Sequence, residues 1–277
     1  ICMGFGCNAC GVVGCRIIDS PRERLIAILT NAFVPCNGRF PGLIALITMF
    51  LAVGSFSSLK SAFILTLVII IAIMVTLMVS KILSKTILKG MPSSFVLEMP
   101  PYRKPQIKKV IIRSLLDRTL FVLGRAICVA APAGLVIWVM SNVSINGTSI
   151  LSYCTNFLNP IANVFGLDGT ILMAFILGFP ANEIVIPIMI MSYMKTASLM
   201  DYGSLLELKT LFINNGWTIT TAICTLIFML FHFPCSTTIL TIKKETNSKL
   251  WTILAFLLPT ITGLIICLII NTLMSLI

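Results

Sequence analysis

Long apolar runs constrain this chain before anything else. A helix needs roughly 20 apolar residues to cross a hydrocarbon core, and residues 61 to 83, 119 to 141, 169 to 194, 217 to 240 and 251 to 275 each reach that length. A further run, Leu43 to Phe56, is shorter and led by Pro41, so it spans only if flanking residues help. With 58% apolar residues, 10% charged residues and a mean hydropathy of +1.05, the composition excludes an ordinary water-soluble domain. The expected fold is all-α, a polytopic membrane protein of about six to seven transmembrane helices. The first turns of the chain form a possible half-helix. The sequence begins at Ile1 inside a motif, without an initiating methionine or a signal-peptide pattern, and reads as a fragment or truncated form.

Charge then assigns sides. Of the 20 Lys and Arg, nine lie between Lys81 and Arg118, opposed only by Glu98 and Asp117. Basic residues flanking spans mark the cytoplasmic side, so this stretch reads as a cytoplasmic loop. The loop from Asn142 to Leu167 carries no charge and faces the other way. Nucleic-acid binding is the rival use of a basic stretch, but these positive residues flank spans, which makes the lipid bilayer the expected partner and excludes nucleic acid. Beyond that loop the charges conflict. Counting every run as a full crossing puts Lys243, Lys244 and Lys249 outside, whereas reading 169 to 194 as a re-entrant hairpin puts them inside.

Two stretches about 175 positions apart are nearly the same: Gly4-Phe5-Gly6-Cys7-Asn8 and Gly178-Phe179-Pro180-Ala181-Asn182-Glu183. Each is followed by an apolar segment and a Pro-Cys pair, Pro35-Cys36 and Pro234-Cys235. Gly or Pro interruptions at matching places in two related halves mark a transporter with broken helices and a midplane site. Three spans separate the copies if the short run counts, and an odd number inverts one copy against the other. Gly6 and Pro180 fall where the breaks are expected, because Gly permits unusual dihedrals and Pro removes a donor. Non-helical backbone survives at membrane depth only where protein or water lines it.

Glu183 is the costliest residue, a carboxylate inside an apolar run where insertion costs about 2.5 to 3.5 kcal/mol. Such a group faces a cavity, an ion path or a partner. A structural alternative is a neutral carboxyl, or one paired with Arg125. Among the ten cysteines, Cys128, Cys224 and Cys267 lie in apolar runs and read as small hydrophobes. Cys36 and Cys235 each follow a proline and precede polar residues, a setting suited to a soft or borderline divalent metal. Cys2, Cys7, Cys10 and Cys15 have a spacing that partly matches an iron-sulfur pattern, which supports a membrane electron-transfer subunit as a rival. Against it, Asp19 or Ser20 caps a helix with Pro21 in its first turn and Glu23 following, a layout poorly suited to a four-thiolate cage. His232, the only histidine, reads as a structural residue or an outer support to a site. No phosphate loop, Gly-x-Ser-x-Gly elbow or His-Glu-x-x-His pair is present, so catalysis by this segment is not expected.

Several of these motifs together resemble one family. Gly4 to Asn8, the run Asp19-Ser20-Pro21-Arg22-Glu23-Arg24-Leu25 and Phe33-Val34-Pro35-Cys36-Asn37-Gly38-Arg39 look like the first Gate region of the ferrous iron transport protein B family (FeoB). Glu98-Met99-Pro100-Pro101-Tyr102-Arg103 is similar to its cytoplasmic loop. Gly178 to Glu183 with Phe233-Pro234-Cys235 looks like its second Gate region. The resemblance implies a multi-pass importer of Fe2+ in the bacterial cytoplasmic membrane. It divides the chain into a first Gate repeat with the following span (1–83), a basic loop (84–118) and a second Gate repeat with flanking spans (119–277). Full-length members carry a GTP-binding domain, absent from this sequence, and small accessory iron-transport proteins and homo-oligomers are further possible partners. Cys10 and Cys15 depart from the single cysteine usual in the first motif. The expected ligand set is Cys7, Cys36 and Cys235 through sulfur and Asn8, Asn182 and Glu183 through oxygen, with Fe2+ as cargo and no permanently bound cofactor. A nucleoside-type or other solute transporter with Gate regions is the alternative.

Overall fold

The computed structural model describes residues 2–52, 54, 56–88, 106, 108, 111–112, 121–145, 148–194 and 204–276. The Glu98 to Arg103 motif, most of the 84–118 loop and the side chain of Arg125 lie outside the described residues.

Helices dominate, as the apolar runs require. The chain opens with α1 (Cys2–Gly6) and α2 (Asn8–Gly14), separated at Cys7 by one extended residue (φ −151°, ψ 124°). Ser20 then caps α3 (Pro21–Thr30), its hydroxyl accepting from the Glu23 N–H at 3.4 Å, with Pro21 at the first helical position. After a break spanning Asn31 to Arg39 the chain resumes as α4 (Phe40–Leu46) and runs on as a π-helical turn, Ile47–Leu51. Pro21–Leu51 is therefore one broken crossing, and the Leu43 to Phe56 run is its second half rather than a separate span. The long helices α5 (Ser57–Lys85) and α6 (Phe121–Asn142) follow.

The uncharged stretch after Asn142 is more structured than a loop. A two-rung β-ladder, Ser144–Ile145 against Thr148–Ser149, leads into α7 (Ile150–Val164), which has an exposed apolar face including Phe157 and Ile161. The helix α8 (Gly169–Leu177) leaves α7 at 109°. The turn is tight because Gly169 packs on α7: a Cβ there would sit 2.0 Å from the Thr155 carbonyl oxygen. A break at Gly178–Ala181 leads through a 3-10 turn, Asn182–Ile184, into α9 (Val185–Met194). Ala181 has φ −150° and ψ 123°, the conformation of Cys7 to within a degree. Next come α10 (Leu205–Asn214), α11 (Ile219–Phe231), α12 (Ser236–Thr246) and α13 (Lys249–Ser275).

Contacts between element ends settle which segments cross. Tyr193, at the end of α9, donates its hydroxyl to Asp168, at the start of α8, so α8 and α9 form a hairpin that returns to the side it entered from. The run 169 to 194 is thus not a transmembrane crossing. Its mate is the α1–α2 hairpin, where Met3 lies beside Gly14. At one face of the molecule Arg22 donates to the Ser84 and Leu88 carbonyls, and Arg16 pairs with Glu245 at 2.6 Å. At the opposite face Thr48 meets Ser61 at 3.1 Å, Ser141 meets Met191, and Asn271 donates to the carbonyls of Asn163 and Val164. The first face holds Arg16, Arg22, Arg24, Lys81, Lys85, Lys243, Lys244 and Lys249, which makes it cytoplasmic. The hairpin reading of the charge conflict is the one that puts Lys243, Lys244 and Lys249 on the same face as Arg16 and Arg22.

Each repeat is accordingly a hairpin plus a broken crossing. The first hairpin enters from the cytoplasmic face and its crossing α3–α4 runs outward; the second enters from the outside and α11–α12 runs inward. Three elements, α3–α4, α5 and α6, separate the hairpins, and the odd number inverts the second copy. Among the described residues four helical stretches are long and apolar enough to cross a membrane. This is a multi-pass membrane protein of inverted broken-helix repeats.

Candidate transport site

Both crossings break at a proline, and the breaks meet. Pro35 and Pro234 lack an N–H, and each following cysteine is extended, Cys36 at φ −85°, ψ 167° and Cys235 at φ −60°, ψ 159°. Four carbonyls so freed converge on one side chain. The Arg39 guanidinium donates through Nη1 to Ala32 (3.2 Å) and Leu230 (2.8 Å), and through Nη2 to His232 (3.0 Å) and Phe233 (3.3 Å). Leu230 is the carbonyl that Pro234 strands, four residues back. Arg39 is 1% exposed, and its Nε lacks a partner among the described residues. It ties the first repeat to the second at membrane depth.

The hairpin tips close around the same point. Asn182 reaches Cys36, its Nδ2 lying 3.8 Å from Sγ, and its Oδ1 lies 3.2 Å from His232 Nε2. His232 is buried among Phe175, Phe228 and Phe233, with Nδ1 2.9 Å from the Met229 carbonyl. An imidazole that donates Nδ1–H to Met229 leaves Nε2 as an acceptor, which suits the amide N–H of Asn182. With the amide turned that way, Oδ1 faces the Cys36 thiol. The row Cys36–Asn182–His232 then satisfies every member without a net charge. On the far side of this tip Ser236 fills carbonyls left by the α8–α9 break, donating its N–H to Phe179 at 2.9 Å and its hydroxyl to Pro180 at 3.3 Å.

The remaining expected ligands sit around this row. Cys235 is half-buried, its sulfur 3.1 Å from Thr237 Oγ1 and 3.2 Å from Thr238 Oγ1. Cys7, at the tip of the first hairpin, is partly buried. Glu183 is exposed and lines a cavity of about 220 Å³ with Gly38, Pro41, Gly42, Asn182 and Met229. A Cβ on Gly38 would come within 3.1 Å of its Oε1, so the glycine makes room for the carboxylate. Asn8 is placed differently. It is 2% exposed, and its amide donates to the Gly4 (3.1 Å) and Val34 (3.3 Å) carbonyls in the orientation that satisfies both. Among the described residues no three His, Cys, Asp or Glu side chains converge closely enough to hold a metal.

Two central residues show only part of their role in the sequence. Arg39 was legible only as a motif member, although an arginine led by a Pro-Cys break and followed by an apolar run is itself a signal. Nothing in the sequence signals the contact of His232 with Asn182, the residue that also reaches Cys36 of the first repeat. Outside the site, Cys224 and Cys267 are fully buried and join α11 to α13, each thiol facing the other residue's carbonyl.

Fold and site together define a transporter-type architecture, and comparison with known proteins names the family. The family model "Ferrous iron transport protein B C terminus" matches residues 62–117, and the Gate model, "Nucleoside recognition", matches residues 123–249. These matches are to the membrane portion of the ferrous iron transport protein B family, which the chain resembles along most of its length. It is 30% identical over 276 residues to the Fe(2+) transporter FeoB of Staphylococcus aureus (strain MSSA476), covering 95% of this chain and 38% of that protein. The Methanocaldococcus jannaschii protein of the same name is 25% identical over 283 residues, covering 97% of this chain and 40% of the relative. That of Helicobacter pylori (strain J99) is 22% identical over 302 residues, 94% and 45%. The chain thus spans less than half the length of these relatives. No solved structure matches it.

Proposed function

We propose that this chain carries Fe2+ across the membrane between the two inverted repeats. Cys7, Cys36 and Cys235 supply sulfur and Asn182 and Glu183 supply oxygen, with Asn8 the first-hairpin counterpart of Asn182. The single observation that carries this reading is the meeting of Cys36 with Asn182, and of Arg39 with the α11 carbonyls, where the breaks of both repeats coincide. The names of the matched relatives support Fe2+ as the cargo. The ligands come from four separate elements, so they gather only when hairpins and crossings close on the ion. That arrangement suits a cargo that must leave again.

Chemistry supports the same assignment. A divalent ion entering low dielectric must exchange its hydration shell for protein ligands. Thiolate with amide and carboxylate oxygen fits a borderline metal better than an all-oxygen set. A GTP-binding domain belongs to the proposal only because the relatives are longer than this chain, and accessory proteins only through the family resemblance. The division into 1–83, 84–118 and 119–277 follows the two repeats.

The test is Fe2+ uptake into cells or vesicles carrying Cys36→Ser, Cys235→Ser and Glu183→Gln variants, with membrane insertion monitored in parallel. Each variant should insert normally and lose uptake. Undiminished uptake by all three would remove the site from consideration. A nucleoside as cargo predicts instead that uptake of labelled nucleoside survives at the thiol variants.

A further inference from the structure

A second polar centre lies at the outer ends of α8 and α9, away from the thiols. Asp168 stands between two cavities, one of about 660 Å³ lined by residues of α6 to α9 and one of about 360 Å³ lined by residues of α7, α11 and α13. Their walls carry many hydroxyls and amides, among them Ser152, Thr155, Asn156, Asn159, Thr170 and Asn215. No lysine or arginine lines either cavity among the described residues. In the sequence Asp168 is the only charged residue between Asn142 and Asn182. Its field is therefore not cancelled locally.

The carboxylate is held in place without being used up. Oδ1 accepts the Ile171 N–H at 2.6 Å and Oδ2 accepts the Tyr193 hydroxyl, whose oxygen in turn accepts from Trp217 Nε1 at 2.8 Å. A carboxylate has about four acceptor positions, so these contacts leave room for a ligand. The tie also fixes the hairpin ends, and Trp217 stacks on Phe212 at 4.4 Å to hold the row rigid.

We propose that this outer vestibule is a collecting site for hydrated divalent cations, held by Asp168 and the surrounding neutral oxygens through their water shell. One negative charge among neutral oxygens attracts an ion without stripping it. Discrimination is left to the sulfur ligands at the hairpin tip, about 13 Å further along the nine residues of α8. The inference rests on the proposed cation transport for its purpose, but the site stands on its own geometry.

The test uses Mn2+ alone as a paramagnetic probe, read by quenching of Trp217 fluorescence in the full chain, with Trp138 and Trp251 replaced by Phe. Saturable quenching is expected. It should weaken roughly tenfold in Asp168→Asn, a change that preserves the helix cap, and a smaller amount in Asn156→Ala, which touches no cap. Cys36→Ser and Cys235→Ser should leave the quenching unchanged while removing uptake. Quenching that is unsaturable, or equal in wild type, Asp168→Asn and Asn156→Ala, overturns the vestibule site. That result leaves the thiol site intact if the cysteine variants still fail to transport. Normal transport by the cysteine variants with Asp168-dependent quenching would overturn the central reading and keep this one.

Discussion

Arg39 offers the sharpest stability prediction, because one side chain satisfies carbonyls from both repeats. Replacing it by Met leaves the Ala32, Leu230, His232 and Phe233 carbonyls without their shared donor. Each such bond to a charged group contributes about 1.5–3 kcal/mol. Burying the guanidinium costs several kcal/mol in return. The balance for removing one partner of a buried charged network is about 3–5 kcal/mol, and Arg39→Met should fall near 4. Arg39→Lys keeps the charge but offers a compact ammonium in place of a planar fork, so roughly half the loss is expected. For a chain of this size 1 kcal/mol moves the unfolding midpoint by about 2–4 °C. Thermal unfolding in detergent, followed by tryptophan fluorescence, should show a drop of about 10 °C for Met and about 5 °C for Lys. A midpoint for Arg39→Met within about 2 °C of wild type would refute the claim that this residue joins the repeats.

Two further predictions address topology and the carboxylate cavity. In a cysteine-depleted background, Ser204→Cys should react with an impermeant thiol reagent from outside, and Lys243→Cys only after the cytoplasmic face is opened. Cytoplasmic labelling at position 204 would mean that α8–α9 crosses after all. Gly38→Val should push the Glu183 side chain out of its cavity and cut Fe2+ uptake several-fold. Gly134→Ala, where an added Cβ meets nothing within 4 Å, should leave uptake unchanged. Equal uptake by both variants would detach Glu183 from the path.

The sequence was most informative where chemistry is local. Ser20, Pro21 and Glu23 carry a capped helix start in their side chains alone, and the helix begins there. Gly6 and Pro180 marked the two breaks because each changes what the backbone permits, and the extended residue falls directly after each, at Cys7 and Ala181. The pattern failed where hydropathy is blind to direction. Residues 169 to 194 are mostly apolar, with Glu183 the only charged residue, and a hairpin has the same composition as a crossing. Only the Tyr193–Asp168 contact separates them. The helix α7 went unseen because it is uncharged and lies in a stretch that the charge rule reads simply as an outer connection. The convergence of Arg39, His232 and Asn182 depends on two segments some 190 positions apart in sequence meeting in space. No spacing within one segment encodes that.

The central claim is that iron is held by sulfur from both repeats at once. X-ray absorption at the iron edge, on protein loaded anaerobically with one equivalent of Fe2+, measures this directly. The account predicts a sulfur shell that weakens in Cys36→Ser and again in Cys235→Ser, and disappears when both are replaced together with Cys7→Ser. An iron surrounded by oxygen or nitrogen alone in the wild-type protein would contradict it.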